Sequence, residues 1–214
     1  TVHEPVILLS HFFTPEDNKY QITTTLGTSF GKNSATSLNW NDVPDPRPDY
    51  YRNLPSYFKD DEMLFNYYTN AWLTDESFRQ INWDKMYEVN QLAAAQGKQA
   101  QYIVENKVYT HINVAGNSNI VANISNHIKL SGGIEIRGFC QRNYKTINDL
   151  LGGAYWLNED KYAEGESPEN PNVLYNDLDN IGKHLGVGDK FGYDYTYNTF
   201  KQKIWATAQF SYNY

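Results

Sequence analysis

Hydrophobic and polar residues alternate along residues 119–140, and this pattern predicts a pair of antiparallel strands. In residues 120–124, Ile, Ala and Ile share one side of a two-residue period, while Val and Asn share the other. A turn follows near residues 125–128, and residues 134–137 then alternate Ile with Glu and Arg. Successive side chains of a strand point to opposite faces of its sheet. We therefore expect one apolar face and one polar face.

Two strands are predicted before this pair. Residues 6–13 form a short apolar run, and residues 14–19 contain the Pro, Asp and Asn that are typical of a tight turn. Residues 20–30 have the clearest alternation in the chain, and we expect this strand to end at residues 31–34, where Gly, Asn and Ser predict another turn. The strand is long enough to cross a membrane within a barrel, which takes about 9–11 residues.

A long connection separates these strands from the central pair. The alternation is lost from about residue 38 to residue 101, and residues 41–55 hold four of the eight prolines. A short helix is predicted inside the connection. Thr74 or Asp75 would cap it, and apolar residues recur at helical spacing up to Ala95.

A second long connection is expected over residues 142–191, including the acidic residues 159–169. The strand pattern resumes near residue 102 and again over residues 193–214. The tight turns thus fall at one end of the sheet and the long connections at the other. Outer-membrane barrels have this asymmetry, with short periplasmic turns and long extracellular loops.

These features predict an all-β fold: an antiparallel transmembrane β-barrel segment of about five strands with long extracellular loops. Residues 1–214 would be part of one outer-membrane β-barrel domain, with no plug domain. Because the chain begins at Thr1 and ends inside an apparent strand, we expect a mature or internal piece of something longer. The alternative is a soluble, secreted β-sandwich that binds carbohydrate through aromatic loops, its apolar strand faces packed on a second sheet.

Composition narrows the function classes. No run of about 18 apolar residues exists, which excludes a transmembrane helix. The formal net charge of -7 argues against a nucleic-acid partner, whose phosphates attract basic surfaces. The 18 Tyr, 5 Trp and 10 Phe suit interfacial aromatic girdles, or surfaces that bind sugars or peptides. The single cysteine, Cys140, excludes an internal disulfide.

Five stretches carry a family resemblance: YQITTTLGTSFGKNSATSLNW at residues 20–40, PDPRPDYYRNLP at 44–55, QINWD at 80–84, LSGGIE at 130–135 and DLLGG at 149–153. In order and loop position they resemble the barrel of TonB-dependent outer-membrane receptors from Bacteroidetes-type bacteria. The resemblance implies a large barrel of about 22 strands that imports a scarce nutrient with energy passed from TonB.

The resemblance also implies partners and a location. The location is the bacterial outer membrane, and the partners are outer-membrane lipid, the rest of the barrel, its plug, and TonB through the plug. A surface lipoprotein over the loops and the identity of the substrate are left open. The chain departs from the family pattern because it shows no plug domain and no TonB box, and because about five strands are fewer than the eight of the smallest barrels. This implies a segment that cannot close or transport by itself.

Aromatic residues of the two long connections are the candidates for ligand contact. Tyr and Trp offer a broad apolar surface with a polar tip, which suits recognition of ligands. Packing of the connections against themselves is the alternative. The candidates are Tyr50, Tyr51, Tyr57, Tyr67 and Trp72 in the first connection, and Tyr155 and Trp156 in the second.

Two charged residues are expected on the polar side of the sheet. Glu135 and Arg137 would face the barrel lumen, where they pair with neighbouring strands or the plug, or line the substrate path. No catalytic residue, metal ligand or cofactor is predicted. The five histidines lack ligand spacing, and Asp177 and Asp179 do not complete a calcium loop. We therefore expect no enzyme, and a glycan-degrading activity finds no site.

Overall fold

The computed structural model describes residues 2–160, 163 and 181–211. These residues form mainly antiparallel β-sheet with two α-helices, so the predicted all-β class is confirmed. The strands are β1 (Val2–His3), β2 (Val6–Phe13), β3 (Tyr20–Trp40), β4 (Tyr102–Ser125), β5 (Ile128–Asp149) and β6 (Lys190–Phe210).

The strands form one sheet in the order β1-β3-β4-β5-β6, and β2 pairs with β3 beside β1. His3 of β1 lies opposite Lys32, and Leu9 of β2 lies opposite Leu26. Short turns join β2 to β3 and β4 to β5. Within the described residues β6 pairs only with β5, so the sheet is open and is not closed into a barrel.

The strand β3 is longer than predicted. It continues through residues 31–34, so the expectation that it ends there is wrong. Gly31 does not form a turn; it allows neighbouring strands of the sheet to approach closely. A Cβ at this position would lie 2.7 Å from the carbonyl oxygen of His3 and 2.9 Å from Cε1 of His111. Strand neighbours on both sides therefore hold the backbone extended where its local sequence suggests a turn.

The chain divides into two compact units. The first comprises Thr1–Ala35, Lys107–Tyr144 and Tyr193–Tyr214, and the second comprises Thr36–Asn106 and Lys145–Gly192. The described part of the first unit is built from strands and their tight turns. The second unit contains the helices, and β3, β4, β5 and β6 each contribute residues to both units.

The helices of the second unit are α1 (Glu62–Thr74) and α2 (Trp83–Ala95), with 3-10 helices at Tyr51–Asn53, Pro55–Phe58 and Ser77–Arg79. None of the helices in the described part of the chain combines the length and the apolar character needed to cross a membrane.

The predicted helix up to Ala95 corresponds to α2, but its predicted cap at Thr74 or Asp75 is wrong, and α1 is a second helix that the sequence pattern does not predict. Thr74 is the last residue of α1, and Asp75 accepts the backbone N–H of Ser77 at 2.9 Å in the turn that follows. The cap of α2 is Asn82, which accepts the backbone N–H of Lys85 at 2.9 Å. Asn caps a helix as well as Asp does, so the cap preference alone could not choose between these positions.

The second long connection begins later than predicted. β5 extends to Asp149, so the expectation of a loop over residues 142–149 is wrong. Ile147 explains the extension, because its side chain is 1% exposed and its N–H donates to the carbonyl oxygen of Asp189 at 3.0 Å. The predicted end of the last strand at residues 212–214, and residues 164–180 with Asp177 and Asp179, lie outside the described residues.

Buried apolar side chains give the second unit a core. Met86 of α2 packs with residues from the ends of β4 and β5, so the helix is held against the strands by apolar burial. The core residues are Ala100, Ile103, Ile147, Leu150, Trp156, Leu185 and Phe191 in one cluster, and Met86, Tyr102 and Leu151 in the other.

The side chain of Asn90 joins α2 to both neighbouring strand ends. It is completely buried. Its Nδ2 donates to the carbonyl oxygens of Tyr102 at 2.7 Å, Leu150 at 2.8 Å and Leu151 at 3.2 Å. Its Oδ1 accepts the backbone N–H groups of Gln101 at 2.8 Å and Tyr102 at 3.0 Å. One amide thus satisfies backbone groups at both strand ends that burial would otherwise leave unpaired.

Candidate functional site

The first unit has an apolar face that is open along a shallow groove. Exposed fractions of 57% at Leu26, 54% at Val114 and 64% at Phe200 show that no described part of the chain covers it. Gly116 and Gly138 lie in the floor of the groove. We call this surface the apolar face; the large side chains that line its groove are Ile7, Leu9, Leu26, Val114, Ile136 and Phe200.

Side chains that alternate with these form a polar face. Arg137 follows Ile136 and lies on this face, as the sequence predicted from the two-residue period. Glu135, two residues from Arg137, belongs to the same face by the same period. Phe139 supplies an apolar element, with its ring centroid 6.0 Å from that of His111. A second groove on this polar face is lined by Ser29, His111, Asn113, Arg137, Phe139, Thr199 and Lys201.

The aromatic candidates of the first connection form a continuous series of ring contacts. The ring of Tyr51 lies edge-on to two neighbouring rings, with its centroid 4.7 Å from that of Tyr50 and 5.5 Å from that of Tyr57. The series continues through Phe58, which stacks on Tyr68 of α1 at 4.2 Å. Pairs of this kind stabilise a loop beyond the apolar area that they bury. Self-packing of the connection, the alternative raised by the sequence, therefore accounts for much of this aromatic content.

Exposure divides the same candidates into two groups. Tyr51 is 52% exposed, Tyr57 is 50% exposed and Tyr67 is 62% exposed, so each leaves about half of its surface for another molecule. Trp72 is partly buried instead, and its Nε1 donates to the carbonyl oxygen of Asn53 at 3.0 Å. Trp72 therefore has a role within the unit, and the tyrosines have free ring surface.

Neighbouring side chains shift the pKa values of two of these tyrosines in opposite directions. The Nε of Arg52 donates to the hydroxyl of Tyr51 at 2.9 Å, and this hydrogen bond lowers the pKa of Tyr51. Side-chain hydrogen bonding with Tyr51 raises the pKa of Tyr50. These polar groups lie beside the exposed ring of Tyr51.

The two candidates of the second connection take different environments. Trp156 is 5% exposed in the apolar core, and its backbone pairs with that of Leu185. Tyr155 stacks on His184 with ring centroids 3.6 Å apart, and its hydroxyl donates to the carbonyl oxygen of Gly97 at 3.1 Å. Tyr155 and Trp156 thus lie close to each other but apart from the aromatic series of the first connection, with which they share no ring contact among the described residues.

A polar pocket that sequence reasoning missed lies in the second unit, with a volume of about 270 Å³. Trp156 and Phe191 supply apolar surface, and Lys145, Asn158 and Glu159 supply polar groups. The Nε2 of Gln99 donates a hydrogen bond to the carboxylate of Glu159 at 2.8 Å. The residues that line this pocket come from segments far apart in the sequence, so no local sequence motif could have revealed the pocket.

The described residues contain no group of three or more His, Cys, Asp or Glu side chains placed to hold a metal ion. Comparison with known protein families finds no match, and comparisons with characterised proteins and with solved structures find none either.

Proposed function

We propose that this chain forms part of the β-barrel of a TonB-dependent outer-membrane receptor that imports a scarce nutrient. The observation that carries the proposal is the apolar face: large apolar side chains stand open on long strands, and a polar face lies behind them. The family resemblance of the five sequence stretches supports the same conclusion.

Strand length supports a membrane location. Strands of globular proteins usually have about 3–10 residues, whereas β3 has 21, β4 has 24, β5 has 22 and β6 has 21. A barrel strand needs about 9–11 residues to cross the hydrocarbon layer. Each long strand therefore has enough residues to cross and to continue beyond the membrane surface.

The energetics of the apolar face point in the same direction. Full burial of one Val, Leu, Ile or Phe side chain is worth about 1.5–3 kcal/mol. The six side chains that line the groove are each about half exposed. Moving them from water into an apolar environment would therefore gain several kcal/mol of transfer free energy. Single exposed apolar residues are normal, but a contiguous patch marks a contact surface. In a barrel, lipid would cover such a face along several adjacent strands.

The open sheet indicates further protein partners. An unpaired strand edge presents backbone groups that attract another strand, and β2 is an edge strand whose two faces both carry exposed apolar residues such as Leu8 and Leu9. Barrels need about eight strands or more, so the rest of the barrel would pair with β2 and β6. The polar face would then line the lumen and contact the plug, through which TonB acts.

The connections of the second unit would lie outside the cell. In this position Tyr51, Tyr57 and Tyr67 present their exposed ring surface to substrate, or to a surface lipoprotein that covers the loops. The proposed transport is not enzymatic. The loops capture the substrate, the plug closes the lumen, and force from TonB displaces the plug.

Cell fractionation tests the proposal on the native protein that contains this chain. We expect it in the outer-membrane fraction, resistant to high salt and alkaline washes and released only by detergent. Recovery as a compact monomer in the aqueous fraction would contradict the proposal and would favour the soluble carbohydrate-binding module.

A matched pair of substitutions sharpens the test. Val114→Arg places a charge on the apolar face, and Asn113→Arg places it on the polar face of the same strand. Arg on the lipid face of a barrel costs about 2–4 kcal/mol at the midplane. We expect only Val114→Arg to reduce the folded, heat-modifiable form in the outer membrane.

A further inference from the structure

The groove on the polar face gathers basic side chains from three strands. His111 belongs to β4, Arg137 to β5 and Lys201 to β6, and all three line the same groove. Ser29 of β3 and Thr199 of β6 add hydroxyl groups to its wall. No acidic side chain lines it.

This concentration of positive charge is opposite to the character of the chain as a whole. The sequence has 25 Asp and Glu against 18 Lys and Arg, so an average surface of this protein is acidic. Elsewhere on the same strands a cation is neutralised directly: Arg142 of β5 forms an ion pair with Asp194 of β6 at 2.6 Å. Among the described residues Arg137 and Lys201 have no such acidic partner.

The wall of the groove is held in place by aromatic contacts. The ring of Phe139 lies 6.0 Å from His111 and 5.9 Å from Tyr197. The hydroxyl of Tyr197 donates to Oε1 of Gln141 at 2.9 Å. These contacts hold the imidazole of His111 beside the groove, where a ring N–H is available to donate a hydrogen bond.

From this arrangement we infer that the groove is a binding site for an oxyanion group, either a carboxylate or a phosphate, of a small ligand. The guanidinium of Arg137 binds such groups through two parallel N–H donors. Lys201 adds a compact second charge, and Asn113 and the hydroxyls add neutral donors. Glu135 lies on the same face but does not line the groove, so it does not neutralise the site from within.

The inference does not rest on the proposed transport function, because it follows from the groove alone. It adds to that function a preference for substrates with an anionic group. If the protein proves to be soluble, anion binding at this groove is still tested independently.

Calorimetric titration of the purified native protein with inorganic phosphate and, separately, with acetate provides that test. We expect saturable binding of at least one anion, and the comparison shows whether phosphate or carboxylate is preferred. Arg137→Gln and Lys201→Gln should each weaken binding by about tenfold or more, as loss of one charged hydrogen bond does. The control Lys85→Gln, which removes the same charge from the exposed side of α2, should leave the affinity unchanged.

Two results would overturn the inference. One is absence of saturable binding of both anions by the native protein. The other is binding that survives in the double variant Arg137→Gln/Lys201→Gln at native affinity. Because both side chains are exposed and polar, the variants should keep the native unfolding temperature, and this measurement confirms that any loss of binding is local.

Discussion

The Nζ of Lys145 lies 2.9 Å from a carboxylate oxygen of Glu105, and the side chain of Glu105 is only 4% exposed. The same carboxylate accepts hydrogen bonds from the hydroxyl of Ser37 at 2.8 Å and from the amide of Asn39 at 3.2 Å. Three strands of the second unit therefore meet at one buried charge. Lys145 is also a lining residue of the polar pocket, so this ion pair fixes a wall of that pocket.

Removing the lysine should destabilise the second unit. Lys145→Met leaves the carboxylate of Glu105 buried without its cation, and breaking such a pair costs about 3–5 kcal/mol. The matched control is Lys85→Met, because Lys85 pairs with Glu88 at the surface and exposed pairs contribute about 1 kcal/mol or less. Hydrogen exchange of the backbone amides in the second unit measures both effects. An equal decrease in the free energy of opening in the two variants would contradict a stabilising role of the buried ion pair.

Asn90 should be more sensitive than its polar character suggests. Asn90→Ala removes five hydrogen bonds and leaves buried backbone groups without partners, each at about 1–3 kcal/mol. We expect the free energy of opening of residues 83–106 and 145–160 to fall by at least about 3 kcal/mol. Asn66→Ala, at an exposed position of α1, is the control and should change it by less than about 0.5 kcal/mol.

High pH should weaken the second unit through Tyr102. Burial raises the pKa of Tyr102, with a smaller contribution from Asp45, and the hydroxyl donates to the carbonyl oxygen of Pro44 at 2.9 Å. The pKa in the folded state lies above the value of 10.0 for an unperturbed tyrosine. The stabilisation is therefore complete below pH 10 and is lost as the pH rises through the folded pKa. Unfolding followed from pH 8 to 12 should show this loss in the native protein and a smaller one in Tyr102→Phe.

The exposed and internal aromatic residues of the first connection should respond differently to truncation. Trp72→Ala breaks the hydrogen bond to Asn53 and removes contacts with Phe78, so we expect a loss of about 3 kcal/mol. Tyr67→Ala changes a side chain that is 62% exposed, and we expect about 0.5 kcal/mol or less. Thermal unfolding checks both values. A large effect of Tyr67→Ala would assign that ring to internal packing and remove it from the candidates for ligand contact.

The strands were the most predictable part of the molecule. Alternation is a property of neighbouring residues, so residues 20–30 and 134–137 revealed their two faces without any knowledge of the fold. Turn preferences were less reliable. The Gly, Asn and Ser of residues 31–34 suggest a turn, but pairing with β1 and contact with β4 keep this stretch extended.

The interior of the second unit could not be predicted for a different reason. Asn90 gives no sign in the sequence that it is buried, since its partners lie up to 61 residues away. The same holds for Glu105, whose partner Lys145 is 40 residues distant. Long-range polar contacts of this kind depend on how the strand ends meet, and local propensity carries no information about that. The same is true of the oxyanion groove, to which four strands contribute.

Fluorescence quenching measures directly whether lipid contacts the apolar face. In a background in which Cys140 and every other cysteine of the native protein are replaced by Ser, Val114→Cys and Asn113→Cys each provide one site for a bimane label on opposite faces of β4. The native protein carrying each label is reconstituted into vesicles that contain lipids with spin-labelled acyl chains. We expect strong quenching at position 114 and little at position 113. Equal quenching at the two positions, or none at position 114, would show that lipid does not cover the apolar face and that the proposed barrel is wrong.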